Sequence, residues 1–250
     1  FIARKSMTLI LPELSLLFTL ILVLLMDVYF KGKRPQVIHG GVTLGLLAVL
    51  LHLIFRAQDL TSSHYIFNGS LVIDSATQYM KIILMFSTIV VLWMVSVSKE
   101  IESDIRTENV VFILSALLGM CFMISAVHLL VLFLAMEIAS LSIYFLLASN
   151  KKSIVASEAA MKAFFFGAFA SILFVFGIAM LFGAGMSFSI GELRFQLATL
   201  FTDQSSAKLY LGITFGFLFL AIGARMAVFP FHFHFPDLIQ GTTAPISAFL

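Results

Sequence analysis

Cysteine and charged side chains are scarce in this chain of 250 residues, and each scarcity excludes a class of protein. The single cysteine, Cys121, excludes an internal disulfide and any cysteine-based metal cluster within the chain. Charged residues make up only 11% of the sequence, and the net charge is +2. Because the lysines and arginines form no basic stripe, a nucleic-acid partner is not expected.

Hydrophobic residues, by contrast, make up 61% of the chain, and the mean hydropathy is +1.09. Soluble domains average about 45–50% apolar and about 25% charged residues, so this composition predicts an integral membrane protein with several spanning helices. The chain begins at Phe1 and ends inside an apolar run, and we therefore expect it to be part of a longer protein. The first apolar segment is long and lacks a small-residue cleavage site, which argues against a cleavable signal.

Apolar runs of about 20 residues, the length that spans a bilayer as a helix, divide the chain. They predict an all-α bundle of seven spanning helices and the start of an eighth at residue 242. The predicted spans are 8–30, 37–55, 75–97, two within 110–147 joined by a turn at 125–128, 154–183, and one from 208 into 221–241. A short extended section is expected within 65–73, and an amphipathic helix around 190–200. Glu13 is expected in a first helical turn, and Lys81 is expected to extend its ammonium to the membrane surface.

The stretch 221–241 combines a buried cation with a helix break. An arginine inside a membrane helix costs roughly 2.5–3.5 kcal/mol on insertion scales, so Arg225 indicates a function. Pro230 cannot donate to the carbonyl of Met226, so the helix should break near 227–231, as helices of transporters often do. His232 titrates near neutral pH, whereas Arg225 stays protonated. His232 and His234 suggest no metal site, because their side chains point apart and no acidic or cysteine cluster joins them.

Two further charges, Glu137 and Lys162, lie inside predicted spans. Counting from the connection between their helices places them ~18 Å and ~14 Å deep, so we expect an ion pair near the membrane midplane. Each charge would relieve the desolvation cost of the other. Such a pair is typical of a proton relay, and a purely structural pair is the alternative. Glu158, four residues before Lys162, is either an interfacial partner of that lysine or a first step for protons.

Four stretches carry a resemblance to a known family. They are Leu-Pro-Glu-Leu at 11–14, Met-Glu-Ile-Ala-Ser-Leu-Ser-Ile-Tyr at 136–144, residues 158–171 around Lys162, and residues 223–237 around Arg225. The chain resembles the antiporter-like membrane subunits of respiratory complex I, the proton-pumping NADH:quinone oxidoreductase, and among them most closely subunit N. The likeness runs over essentially the whole chain, and its last three stretches are highly specific.

This resemblance implies an architecture and a set of site residues. The family has fourteen helices with two inverted five-helix repeats, so residues 1–108 would form three leading helices and 109–250 most of the first repeat. The acid matching Glu137 and the lysine matching Lys162 would form the pair that gates proton movement. The position of Arg225 is usually lysine. Arg225 would then act as a fixed electrostatic switch, or the proton would pass through His232.

The resemblance also implies a function and partners. The chain would translocate protons while NADH, FMN, iron–sulfur clusters and quinone are bound by partner subunits, with no cofactor or metal in this chain. Its partners would be the other membrane-arm subunits, including homologous antiporter-like ones, and the lipid bilayer of a bacterial plasma (inner) membrane. A subunit of an Mrp-type cation/proton antiporter and a purely structural membrane scaffold are the alternatives. The proteins that co-purify with the chain would distinguish an antiporter subunit from a complex I subunit. Proton pumping by Glu137 variants would distinguish a proton-translocating subunit from a structural scaffold.

Overall fold

Long apolar helices form nearly all of the fold, which a computed structural model describes for residues 9–30, 35–57, 63–150, 153–203 and 205–250. Within these ranges the helices are α1 (Leu11–Phe30), α2 (Pro35–Ala57), α3 (Ser75–Val97), α4 (Ser103–Ser125), α5 (Leu129–Leu147), α6 (Ile154–Gly183), α7 (Ile190–Asp203), α8 (Ser205–Arg225), α9 (Phe235–Gln240) and α10 (Ala244–Phe249). Seven of these helices are long and apolar enough to cross a membrane. The protein is therefore an all-α membrane protein.

The predicted spans agree closely with the helices. The third and sixth begin where predicted, at Ser75 and Ile154, and the predicted turn at 125–128 separates α4 from α5. The predicted start of the first span, at residue 8, lies outside the described residues. The division between leading helices and repeat stays a prediction, and α4 begins a few residues before it, at Ser103.

A β-hairpin and the amphipathic helix α7 join the leading helices to the rest of the bundle. Strands β1 (His64–Ile66) and β2 (Leu71–Ile73) pair antiparallel, which confirms the predicted extended section. The α4–α5 turn lies between the hairpin and α7, because Val127 donates to the Ser70 carbonyl over 3.0 Å and accepts from the Ile190 amide over 3.0 Å. These backbone bonds tie three connections together at one end of the bundle.

Two apolar cores hold the helices. Buried leucine, valine, isoleucine and methionine side chains of α1 to α4 form the first, and residues of α6 and α8 around Phe174 and Leu218 form much of the second. Helices α4 and α5 connect the two cores through a close backbone approach at Gly119. A Cβ at this position would lie 2.7 Å from the backbone nitrogen of Ala139. Small residues permit such approaches between membrane helices, where packing rather than water exclusion drives association.

A buried ion pair joins α1 to α3. The Lys81 ammonium donates to Glu13 Oε1, and the two side chains are only 1% and 3% exposed. The predicted extension of Lys81 to the membrane surface is wrong, because this lysine faces the helix bundle, where Glu13 supplies the counter-charge. Glu13 does lie in the first turn of its helix, as predicted.

Lys81→Met should lower the stability of the subunit by about 3–5 kcal/mol, because it leaves the Glu13 carboxylate buried without a counter-charge. The double variant Glu13→Gln/Lys81→Met removes both charges and should recover most of the loss. The measurement is the thermal unfolding of the full-length subunit in detergent. The control is Lys99→Met, since Lys99 is exposed. A single Lys81 variant as stable as the parent would contradict the prediction.

Candidate functional site

The regular helix α8 ends at Arg225, where the chain turns out of the helical path. Ala227 has a φ of +50°, and the Phe229–Pro230 peptide bond is cis. The amide of Val228 donates to the Gly223 carbonyl over 2.9 Å, and a short 3-10 helix, Phe231–His234, leads into α9. The break predicted near 227–231 is confirmed. It places Arg225 at the end of a helix, facing α5 and α6.

Arg225 is the centre of a charged cluster that joins three helices. One guanidinium nitrogen, Nη1, donates to Ser140 Oγ, and the other, Nη2, donates to Glu137 Oε1 and, over 2.6 Å, to Ser171 Oγ. The Ser171 hydroxyl also donates to Glu137 Oε1 over 2.6 Å. Arg225 is 12% exposed and Glu137 25% exposed, so most of both charges is removed from solvent. Charge-assisted hydrogen bonds of this kind are among the strongest in proteins.

The expected pair between Glu137 and Lys162 is wrong. Lys162 instead bonds Asp237 over 2.6 Å and Glu158 over 2.8 Å, and its side chain is 39% exposed. The interpretation of Glu158 as a partner of Lys162 is correct.

The relative position of the two helices explains the error. Glu137 is level with Ser171, which lies nine residues beyond Lys162, or ~13 Å along the helix. Helix α6 has 30 residues against 19 in α5, and the end of α5, at Leu147, packs against Ala160. The first turns of α6 therefore extend past the end of α5. Counting depth from the connection overlooked this overhang and placed Lys162 too deep.

Asp237 is a partner that sequence reasoning did not assign. It lies in the first turn of α9, directly after the helix break, and reaches Lys162 on α6. An acid at a helix N-terminus is favourable by itself, so its position in the sequence gave no sign of a distant lysine.

The two histidines of the broken segment face different surroundings. His234 is 7% exposed, its Nδ1 lies 2.6 Å from the Phe231 carbonyl oxygen, and its ring stacks on Phe166. His232 is exposed, and its ring lies against Phe229. A 3-10 helix has three residues per turn, so positions two apart cannot face the same side. Of the two, His234 lines a cavity together with Arg225. Sequence reasoning did not select His234, and a role of His232 stays a prediction.

Among the cavities lined by the described residues, two that share Leu147 lie on the α9 side of the cluster. The smaller, about 140 Å³, is lined by Arg225, Ser140, Tyr144 and His234, among others. The larger, about 380 Å³, is lined by polar side chains that include Glu100, Asn109, Asn150 and Thr243. Leu147 lines both cavities and so separates them.

Tyr144 reaches the smaller cavity from α5, and α6 makes room for it at Gly167. A Cβ at position 167 would fall 1.5 Å from the Tyr144 hydroxyl oxygen. The tyrosine ring also packs edge-on against Phe164, with 6.0 Å between the ring centroids. Glycine at 167 is therefore required for the observed position of the phenol.

A membrane helix bundle with a charged cluster at a broken helix is typical of ion-translocating membrane proteins. Residues 126–250 match the family described as "NADH:quinone oxidoreductase/Mrp antiporter, TM". The chain belongs to this family.

Full-length relatives and solved structures carry the likeness over nearly the whole chain. NADH-quinone oxidoreductase subunit N of Ruthia magnifica subsp. Calyptogena magnifica is 33% identical over 98% of this chain and 50% of that protein. NADH-ubiquinone oxidoreductase chain 2 of Oenothera berteroana is 34% identical over 96% of this chain and 50% of that protein. A chain of respiratory complex I from Thermus thermophilus with bound aureothin superposes with a TM-score of 0.76 at 25% identity, over 95% of this chain and 49% of that one. The chain thus spans about half the length of the curated relatives it matches.

Gly167→Ala should destabilise the subunit by about 1–3 kcal/mol, because the added methyl group overlaps the Tyr144 phenol and forces α5 and α6 apart. The matched control is Gly216→Ala in α8, where an added Cβ meets nothing within 4 Å. Since alanine is the better helix former, this control should be neutral or stabilising by up to about 1 kcal/mol. Thermal unfolding of both variants is the measurement, and equal stability of the two would contradict the prediction.

Proposed function

We propose that this chain is part of a proton-translocating membrane subunit of an NADH:quinone oxidoreductase. The observation that carries the proposal is the pair between Glu137 and Arg225, held by Ser140 and Ser171 at a broken membrane helix. A buried carboxylate whose counter-charge lies at the end of an interrupted helix can gain or lose that counter-charge when the helix end moves. The oxidoreductase names of the relatives support this function over that of an Mrp-type antiporter.

Glu137 is the group that takes up and releases the proton in this proposal, and Arg225 is the fixed charge that controls it. Arginine keeps its proton in proteins. With Arg225 in place, the carboxylate is stabilised by a cation and by the Ser171 hydroxyl. Movement of Arg225 away from Glu137 leaves a negative charge in an apolar region, and the carboxyl group then takes up a proton instead. Return of Arg225 expels that proton.

Lys162 and the broken segment connect the Glu137–Arg225 pair to movements of α9. The ion pair between Lys162 and Asp237 links α6 to α9, which follows the break that bears Arg225. Because both side chains are partly exposed, the pair is weak enough to open and close as α9 moves. His232 lies on the same segment, and its imidazole, which can both accept and donate a proton, makes it a second proton-exchanging group of the path.

Electron transfer in partner subunits supplies the energy for this cycle. NADH, FMN, iron–sulfur clusters and quinone are bound there, and the redox reaction reaches this chain as a conformational or electrostatic change. The partners are the other membrane-arm subunits of complex I, including homologous antiporter-like subunits, and the location is a bacterial plasma membrane. The complex I chain from Thermus thermophilus that superposes on this one supports the assembly.

Glu137→Gln should reduce proton pumping by about tenfold or more, because the amide cannot take up a proton. The measurement is proton uptake by inside-out membrane vesicles that contain the intact complex, driven by NADH. The matched control is Glu192→Gln, which changes an exposed acid at the start of α7 and should pump like the parent. Normal pumping by a fully assembled Glu137→Gln complex would refute the proposed function and favour a structural scaffold.

Arg225→Lys should retain most of the pumping activity, whereas Arg225→Ala should lose most of it. Lysine keeps a positive charge opposite Glu137. It lacks the planar guanidinium group that also donates to Ser140 and Ser171. Alanine removes the charge and leaves Glu137 without a cation. The vesicle measurement compares the two variants at equal complex content. Equal activity of the two would remove the proposed role of the positive charge.

A further inference from the structure

The proposed function leaves the phenol of Tyr144, next to the ion pair, without a role. Tyr144 follows Glu137 by seven residues on α5, and Ser140 lies between them. Residues spaced three or four apart share one face of a helix, so the carboxylate, the hydroxyl and the phenol form a single polar row. Tyr144 lies beside Ser140, and it is close enough to Arg225 and Glu137 for both charges to act on its hydroxyl group.

The phenol is held in one position. Gly167 leaves the space that its hydroxyl end occupies, since a Cβ there would fall 1.5 Å from the oxygen. Phe164 packs against the ring edge-on. Packing alone requires only the ring, which phenylalanine would supply equally well. The hydroxyl therefore needs a separate explanation.

Space for water lies next to the phenol. Tyr144 lines the cavity of about 140 Å³ together with Arg225 and His234. Most of the lining is apolar, but these polar side chains supply the several partners that a bound water needs, and the volume has room for such water. Beyond Leu147, the larger cavity contains the fully buried Asn109, whose amide nitrogen and oxygen both lack a protein partner. Buried amides without protein partners indicate bound water, so a hydrated space approaches Tyr144 from this side.

We propose that the Tyr144 hydroxyl passes protons between water in the smaller cavity and Glu137, by way of Ser140. This inference rests on the proposed function, because it names the residue through which the Glu137 site exchanges its proton.

The transfer balances without any further reactant. A hydronium ion in the cavity gives a proton to the Tyr144 oxygen, and the original phenol proton passes to Ser140 Oγ. The Ser140 hydroxyl, which donates to the Met136 carbonyl over 2.7 Å, turns and gives its own proton to Glu137, one helical turn away. The result is one proton moved from the cavity to the carboxylate. Rotation of the two hydroxyl groups restores the starting state.

Ser140 is suited to this intermediate position. Its oxygen accepts from Arg225 Nη1 and donates to a backbone carbonyl, which leaves one lone pair for the phenol. Arg225 cannot replace it in the row, because the guanidinium has no lone pair that accepts a proton.

Tyr144→Phe tests the proposal, because it removes the hydroxyl and keeps the ring. In vesicles containing the intact complex, NADH-driven proton uptake should fall by about tenfold, the lower range of a lost acid–base group. The matched control is Tyr210→Phe on α8, whose hydroxyl donates to the Met180 carbonyl away from the ion pair, and which should pump like the parent. Pumping by Tyr144→Phe at the level of this control would overturn the inference.

A second measurement separates proton transfer from packing. A fluorinated tyrosine at position 144 is nearly the same size, but its hydroxyl oxygen holds a proton less strongly, so the rate of NADH-driven pumping should change. A packing role would leave the rate unchanged, and that result would also overturn the inference. Glu137→Gln is measured in parallel. Loss of pumping there with normal pumping by Tyr144→Phe refutes the Tyr144 relay alone, whereas normal pumping by Glu137→Gln refutes the proposed function itself.

Discussion

Neutralisation of charge inside an apolar bundle is the constraint on which the rest of this structure depends. Among the described residues, three ion pairs between different helices satisfy it, and each joins residues that are distant in the sequence, with separations of 68, 88 and 75 residues. The pairs connect α1 to α3, α5 to α8, and α6 to α9. A charge that lacks its partner costs several kcal/mol in the membrane, so each pair requires a particular arrangement of its two helices. The apolar residues between them only need to fill space.

The three pairs differ in burial, and this difference separates fixed from movable parts. Glu13 and Lys81 are almost wholly buried, Glu137 and Arg225 are 25% and 12% exposed, and Asp237 and Lys162 are 46% and 39% exposed. Opening the first pair would leave two fully desolvated charges without a counter-charge, so this pair holds α1 and α3 together. The third pair is screened and costs little to open. The Glu137 pair lies between these limits, as the proposed uptake and release of a proton requires.

The sequence predicted the helices well because each depends on local information. An apolar run of about 20 residues sets a span, and Pro230 removes a backbone donor at a known position. The ion pairs between different helices were not predicted, because such pairing depends on how far one helix is shifted along another. The overhang of α6 past α5 moved the partner of Glu137 from Lys162 to Arg225, a shift that no local pattern encodes. Lys81 was misjudged for a related reason, since the side of α3 that faces the bundle depends on where α1 packs.

Arginine at position 225, where the resemblance implies that lysine is usual, fits the geometry of its surroundings. The guanidinium fork donates to Glu137, Ser140 and Ser171 together, which binds α5 and α6 to the end of α8. A lysine ammonium is a compact charge without this planar fork. Lysine at this position could release its proton, whereas arginine cannot. Arginine instead positions two hydroxyl groups. In the proposed function, proton exchange then falls to the acid and to the groups that connect it with water. A buried arginine is in this way compatible with proton translocation, provided that the carboxylate rather than the cation changes its charge.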